Sequence, residues 1–202
     1  MHAGHPVTNR FDVHFGVFRL LPPEITRSSS QAAELFYTTG ILATMNKYAE
    51  TIFRLVEYER WCNLQALDFL AGLSDQECKR DFGFGLRTPH RTMFHIADVM
   101  RGWSCCVGPV IGPPSWLTYE DTVTLQEIRA MITDVGMSWL AAAKASHEMG
   151  VLAEERRLNH LFHLVTHGTH HRGQLLSMVT LMGYPQPFEG GDFGGWSNNG
   201  AG

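Results

Sequence analysis

The sequence has no long hydrophobic run and no long run of charge of one sign. Its apolar stretches are far shorter than the roughly 20 residues that a membrane helix needs, and its N-terminus lacks the basic-then-apolar pattern of a signal peptide. Sixteen Lys and Arg face twenty Asp and Glu, which gives a formal net charge of −4. A chain with this charge balance lacks the clustered positive charge that binds nucleic acid. We therefore expect a cytoplasmic protein that binds neither a membrane nor nucleic acid.

The four cysteines also lack the spacing that is typical of metal-binding or disulfide-forming cysteines. Cys62, Cys78, Cys105 and Cys106 form no C-x-x-C motif, so we expect neither a disulfide framework nor a thiolate zinc site. The adjacent pair Cys105-Cys106 is compatible with redox activity, but packing at the end of a helix is the interpretation we favour. We predict reduced thiols in the core.

Several enzyme motifs are absent as well. There is no H-E-x-x-H, because Gly168 follows His167 where a zincin has its glutamate. The paired Glu-x-x-His motifs of di-iron bundles are missing, as are a Walker loop, a G-x-S-x-G elbow and a dinucleotide fingerprint. These absences exclude zincins, di-iron bundles, Walker-type nucleotide-binding proteins, α/β-hydrolases with a nucleophile elbow and dinucleotide-binding proteins.

What the sequence does have is apolar residues repeating every three or four positions, the period of an α-helix. The repeat predicts long helices over about 43–70, 88–108, 124–147 and 153–182, with a capping box at Ser74-Asp-Gln-Glu77 that opens a short helical turn between the first two. No segment alternates as a strand does. At 202 residues, we predict one all-α domain, a four-helix bundle.

Both ends differ in composition from this bundle. Residues 1–40 combine Pro22-Pro23 with a Ser28-Ser-Ser30 run, and we expect a loosely structured extension, part of which is dispensable or reflects a start codon assigned too early. The bundle is then 41–187. Residues 188–202 are rich in Gly and Asn, which predicts a flexible tail, although Phe193 and Trp196 are able to fold over a site.

The histidines are the strongest indication of function. His163, His167, His170 and His171 fall within nine residues, and His167 and His171, four apart, share one face of a helix. Two imidazoles so placed can bind one metal ion, and His95, in an apolar segment of the second helix, is the candidate third ligand. On spacing alone, metal binding and hydrogen bonding within the core both remain open. We expect His160, His163 and His170 to be surface or supporting groups.

Three segments resemble one known family. Thr166-His-Gly-Thr-His-His-Arg-Gly-Gln174 is similar to the H-x-x-H-H-R-G-Q signature of the DinB-like family, the DinB and YfiT-type metal-binding four-helix bundles of bacteria. Trp61-Cys-Asn63 resembles the family's W-x-N, and Phe94-His-Ile-Ala97 ahead of Trp103 resembles the segment with its helix-two histidine. The resemblance covers roughly residues 45–185.

The resemblance implies a mononuclear divalent metal bound by His95, His167 and His171, often in a homodimer, with a small-molecule substrate. Imidazole ligands suit zinc, nickel, copper and iron alike. Related bundles include thiol-dependent enzymes such as bacillithiol S-transferases and mycothiol-dependent maleylpyruvate isomerase. We therefore expect a metal-dependent thiol S-transferase or hydrolase that uses a low-molecular-weight thiol or a water. The alternative is a dimeric metal-binding stress-response protein without turnover.

Two more residues of the motif are candidates for supporting roles. Gln174, one turn beyond His171, is placed to orient a ligand or to satisfy a buried polar group. Arg172 is placed to hold an anionic group of a thiol cofactor or to pair with an acid on a neighbouring helix.

Overall fold

The computed structural model describes residues 27–185 and Trp196, apart from the side chains of 27–36 and Leu42. Within this range the chain forms helices and turns and no strand, which confirms the all-α prediction. The helices are α1 (Arg27–Ala71), α2 (Asp75–Cys78), α3 (Pro89–Ser104), α4 (Leu125–Glu148) and α5 (Glu155–Leu181). Over the described residues there are thus five helices rather than four, and the additional one is the short turn α2.

The helix starts follow the capping signals in the sequence. Ser74 Oγ accepts from the Glu77 N–H at 3.3 Å, while Glu77 Oε2 accepts from the Ser74 N–H at 2.9 Å. Thr88 caps α3 ahead of Pro89 at the first helical position. A second capping box, Thr124 with Glu127, opens α4. These reciprocal bonds satisfy backbone donors that have no partner inside the helix.

The largest difference from the predicted bounds is at the start of α1. The helix begins at Arg27 rather than near residue 43, so residues 27–40 are helical where we expected a loosely structured extension. Residues 1–26 lie outside the described residues. The chain divides into two compact units, 1–42 and 43–202. In the first unit, the described side chains Tyr37 to Ile41 are exposed.

The second unit has one apolar core to which all four long helices contribute. Trp139 of α4 is fully buried, and its indole N–H donates to the Met100 carbonyl of α3 at 3.0 Å. The other large apolar side chains that are fully buried are Leu67, Leu70, Met93, Ile96, Met100, Ile128, Ile132, Leu164, Leu175 and Met178. Burial of these side chains is the main stabilising contribution to the helix packing.

A buried ion pair joins α1 to α5. Arg172 Nη1 donates to Glu59 Oε1 at 2.6 Å and to Asn63 Oδ1 at 2.7 Å, and Asn63 Nδ2 donates to the same Glu59 oxygen at 3.1 Å. Glu59 and Asn63 are fully buried and Arg172 is 6% exposed. Burial raises the pKa of the Glu59 carboxyl, and the attraction of the Arg172 guanidinium opposes that rise. Removal of either partner would leave a buried charge uncompensated.

Gly168 makes this ion pair sterically feasible. A Cβ atom added at Gly168 would overlap Glu59 Oε1 and would lie 2.7 Å from Glu59 Cδ and 2.9 Å from Arg172 Nη1. The Glu59 carboxylate therefore lies directly against the backbone of α5. Only glycine leaves this space at position 168.

Trp196 is the one described residue of the C-terminal segment. It is 6% exposed and clusters with Tyr58 and Cys62 of α1, with its ring centroid 5.8 Å from that of Tyr58. At this position the chain packs on α1 instead of being free in solution. The rest of the predicted tail, including Phe193, lies outside the described residues.

Among the described residues, no helix combines the length and the apolar character that a membrane crossing requires.

The Gly168 contact predicts opposite effects for two glycines of α5. We expect Gly168→Ala to lower the free energy of unfolding by about 1–3 kcal/mol or more, because the methyl group must displace the buried carboxylate. A Cβ at Gly173 meets nothing within 4 Å, so Gly173→Ala is expected to be stabilising by about 0.5–1 kcal/mol through its helix propensity. Urea unfolding of both variants measures the difference. Equal stability of the two would contradict the contact.

Candidate metal centre

Helix α5 brings two of its histidines onto one face. His167 and His171 are one turn apart, and their ring centroids are separated by 4.4 Å. Both rings are partly buried. This is the geometry predicted from the i, i+4 spacing.

Helix α3 supplies the third imidazole. His95 Nε2 lies 3.1 Å from His167 Nε2, and the His95 ring centroid is 4.9 Å from that of His167 and 4.7 Å from that of His171. One ligand atom from each of the three histidines lies within 4.8 Å of the others. Ring nitrogens separated by 72 and 76 positions in the sequence thus converge on one point.

The position of His95 follows from the burial of α3. Every residue from Thr92 to Met100 is buried except His95, which keeps partial exposure. The flanking side chains hold the backbone of α3 against the core. His95 is therefore rigidly placed and still accessible.

The three imidazoles share an environment that favours the neutral form. Burial, together with a smaller effect of the neighbouring histidines, lowers the pKa of His167 to about 3. Burial is also the main cause of the lowered pKa values of His95 and His171. A metal ligand must be an unprotonated imidazole, so the cluster is ready to bind a cation at neutral pH.

Gln174 orients one of these rings. His171 Nδ1 donates to Gln174 Oε1 at 3.0 Å, and Gln174 Nε2 donates to His170 Nε2 at 3.0 Å. Because Nδ1 carries the proton, the His171 Nε2 lone pair is free for a metal. The contact supports the expectation that Gln174 has an orienting role. His170 itself is exposed and holds the Gln174 amide from the other side.

The remaining histidines of the stripe lie at its edge. The exposed His163 has its ring centroid 5.4 Å from that of His167, and His160 packs against Trp103 with centroids 4.8 Å apart. Neither joins the cluster of three, and no fourth His, Cys, Asp or Glu of the described residues does so.

The chain was also compared with known protein families and with curated proteins. The family model described as DinB family matches residues 45–193. The chain belongs to the DinB family. No curated protein matches it.

In this DinB-family chain, Arg172 pairs with an acid of α1. Its guanidinium is buried against α1, where it bonds Glu59 and Asn63, and its Nη2 donates to Thr169 Oγ1 at 3.2 Å. It is therefore committed to the core and does not face the histidines. This is the pairing with an acid on a neighbouring helix that the sequence left open.

Glu59 is the residue of this network that sequence reasoning missed. On a helix, an isolated glutamate is normally taken for a solvated residue, and its partner lies 113 positions away. The available signal was in two motifs of the DinB-like resemblance, first the W-x-N motif of α1 and second the H-x-x-H-H-R-G-Q motif of α5. Asn63 of the first motif and Arg172 of the second are directly hydrogen-bonded, so both motifs meet at Glu59.

The contact between Gln174 and His171 predicts a graded effect on metal affinity. We expect Gln174→Leu to weaken binding of a divalent metal about 10- to 100-fold, because the acceptor that orients His171 is lost. Gln174→Glu keeps an acceptor and adds a negative charge, so it should bind at least as tightly as the wild type. Competition titrations with a chromogenic chelator measure both. Unchanged affinity in the leucine variant would remove this role.

Proposed function

We propose that this DinB-family protein is a divalent-metal-dependent enzyme of the thiol S-transferase or hydrolase type, built on a four-helix-bundle frame. The observation that carries the proposal is the convergence of His95, His167 and His171 on one point, with ligand atoms within 4.8 Å of one another. Three protein ligands with an open position are typical of catalytic metal sites.

The residues present fit a divalent transition metal. All three ligands are imidazoles, which suit zinc, nickel, copper and iron. Their lowered pKa values keep them neutral, and Gln174 fixes the tautomer of His171. This combination of ligands and an orienting partner is what metal sites in proteins require.

Three neutral ligands leave the charge of a bound divalent ion uncompensated, so the ion would lower the pKa of a water or thiol beside it. The chain's own residues position the nucleophile and hold the metal ligands. His95, His167 and His171 define where the nucleophile is held. Gln174 orients His171, and the buried segments of α3 and α5 keep the ligands in place.

The lack of a fourth protein ligand among the described residues favours catalysis over a purely structural site. A structural site is closed by a fourth protein ligand. In the described part of the chain no fourth candidate joins the three histidines, and His170 is engaged by Gln174. A position is thus left for a small molecule. The alternative of a metal-binding protein without turnover has no comparable observation in its favour.

The proposal keeps the expected small-molecule substrate, homodimer and cytoplasmic location. They rest on the family resemblance and the composition of the chain. The nucleophile is a low-molecular-weight thiol or a water.

Elemental analysis tests the site itself. Purified, tag-free protein should contain about one transition metal per chain, as a mononuclear three-ligand site requires. His95→Ala should lose the metal because one of three ligands is gone. His163→Ala is the matched control: this histidine lies beside the cluster without joining it, so its loss should leave the metal content unchanged. A stoichiometric metal in His95→Ala would refute the ligand assignment.

Cobalt substitution tests whether the site is open. Co²⁺-loaded protein is titrated with 2-mercaptoethanol while the visible and near-ultraviolet spectrum is recorded. An open position should give a thiolate-to-cobalt charge-transfer band that saturates at one thiol per chain, because soft thiolate coordinates readily. A spectrum insensitive to thiol, with the metal retained, would indicate a closed site and favour the non-catalytic alternative.

A further inference from the structure

A row of aromatic rings leads away from the three-histidine cluster. The His163 ring lies 5.4 Å from His167, and the Trp103 ring lies 5.8 Å from His163 and 4.8 Å from His160. The Trp116 ring continues the row at 5.7 Å from Trp103. We call Trp103 and Trp116 the tryptophan wall. Only the His163 ring lies between Trp103 and the proposed metal ligand His167 in this row.

The tryptophan wall lies at the edge of the apolar core and not inside it. Trp116 is 51% exposed and Trp103 is partly exposed, whereas Trp139 of the core is fully buried. Apolar rings left in water cost free energy that burial would recover. Exposed aromatic side chains next to a polar site are typical of surfaces that bind a ligand.

The loop that carries Trp116 is hydrogen-bonded to α3 through the residues before and after it, Ser115 and Leu117. Arg101 donates from Nη2 to the Ser115 carbonyl at 2.9 Å and from Nη1 to Ser115 Oγ at 3.2 Å. Asp98 Oδ1 accepts from the Leu117 N–H at 3.0 Å and from Arg101 at 2.9 Å. Asp98 is 6% exposed. The exposed ring is thus held by an ordered network, and little conformational entropy is left to lose on binding.

Gly102 gives the ring its place on α3. A Cβ at Gly102 would lie 2.6 Å from Trp116 Cε3 and 2.8 Å from the Ser115 carbonyl oxygen. The Trp116 ring therefore lies against the bare helix backbone, about two turns or roughly 10 Å beyond His95 on the same helix. Gly102 leaves space for the Trp116 ring, and Arg101 and Asp98 hold the loop that carries it.

We infer that the tryptophan wall binds a planar aromatic part of the substrate, whose reacting group lies at the three histidines. The inference rests on the proposed function and specifies its substrate class: a small molecule with a flat apolar group roughly 10 Å from the reacting centre. Stacking and burial of one such ring on the wall should raise affinity about tenfold over an aliphatic equivalent.

Two hydroxamates with the same metal-binding group test this. Zinc-loaded protein is titrated with pentanohydroxamate and with 5-phenylpentanohydroxamate, whose linker lets the phenyl ring reach the wall, by isothermal calorimetry, and the ratio of their dissociation constants is the readout. Comparison of this ratio between variants cancels the intrinsic difference between the two chelators. We expect Trp116→Ala to lose about tenfold of the preference for 5-phenylpentanohydroxamate, with pentanohydroxamate affinity unchanged. Trp116→Phe should keep most of the preference.

Phe162→Ala is the matched control, because Phe162 is an aromatic residue of α5 that is 54% exposed and lies among apolar residues of α1 and α5. Its preference should equal that of the wild type. If both hydroxamates bind and the preference survives in Trp116→Ala, the tryptophan wall is not a substrate site, while the open metal site stands. If neither hydroxamate binds zinc-loaded protein, the open site and this inference are both overturned.

Discussion

The buried ion pair between Glu59 and Arg172 fixes how α5 is rotated about its own axis. Arg172 and Gly168 must face α1, since Glu59 reaches its partner only across the bare backbone of Gly168. His171 and His167 each precede one of these residues by one position. At about 100° of rotation per residue, they turn to a neighbouring face, where His95 of α3 meets them. An error in the orientation of α5 would separate the metal ligands.

Helix α5 therefore contributes to two separate polar clusters, the ion pair with Glu59 and the three histidines. On the α1 side, the charges compensate each other in the core. On the α3 side, the imidazoles are kept neutral by burial and stay accessible. This separation explains how His171, Arg172 and Gln174 are accommodated in a partly buried segment, while His170 stays exposed. Each member has its own direction, and Gln174 ties His170 to His171.

Much of this was predictable from local sequence patterns. The period of apolar residues gave the all-α fold and placed α3, α4 and α5 within a few residues of their observed bounds, and the i, i+4 spacing paired His167 with His171. The start of α1 at Arg27 was missed because Ser28-Ser-Ser30 favours caps and loops over helix interiors. Glu59 and the destination of Arg172 were missed because both depend on a contact between helices far apart in the sequence, which a local pattern does not encode.

The space at Gly168 also has an evolutionary consequence. A relative with a side chain at this position has no room for a glutamate at the position of Glu59, and without that carboxylate a buried arginine at position 172 becomes unfavourable. The three positions should therefore change together or not at all among relatives. Asn63, which bonds both charged partners, should follow them. Covariation of this set would trace which relatives share the orientation of α5, even where the histidines themselves have been replaced.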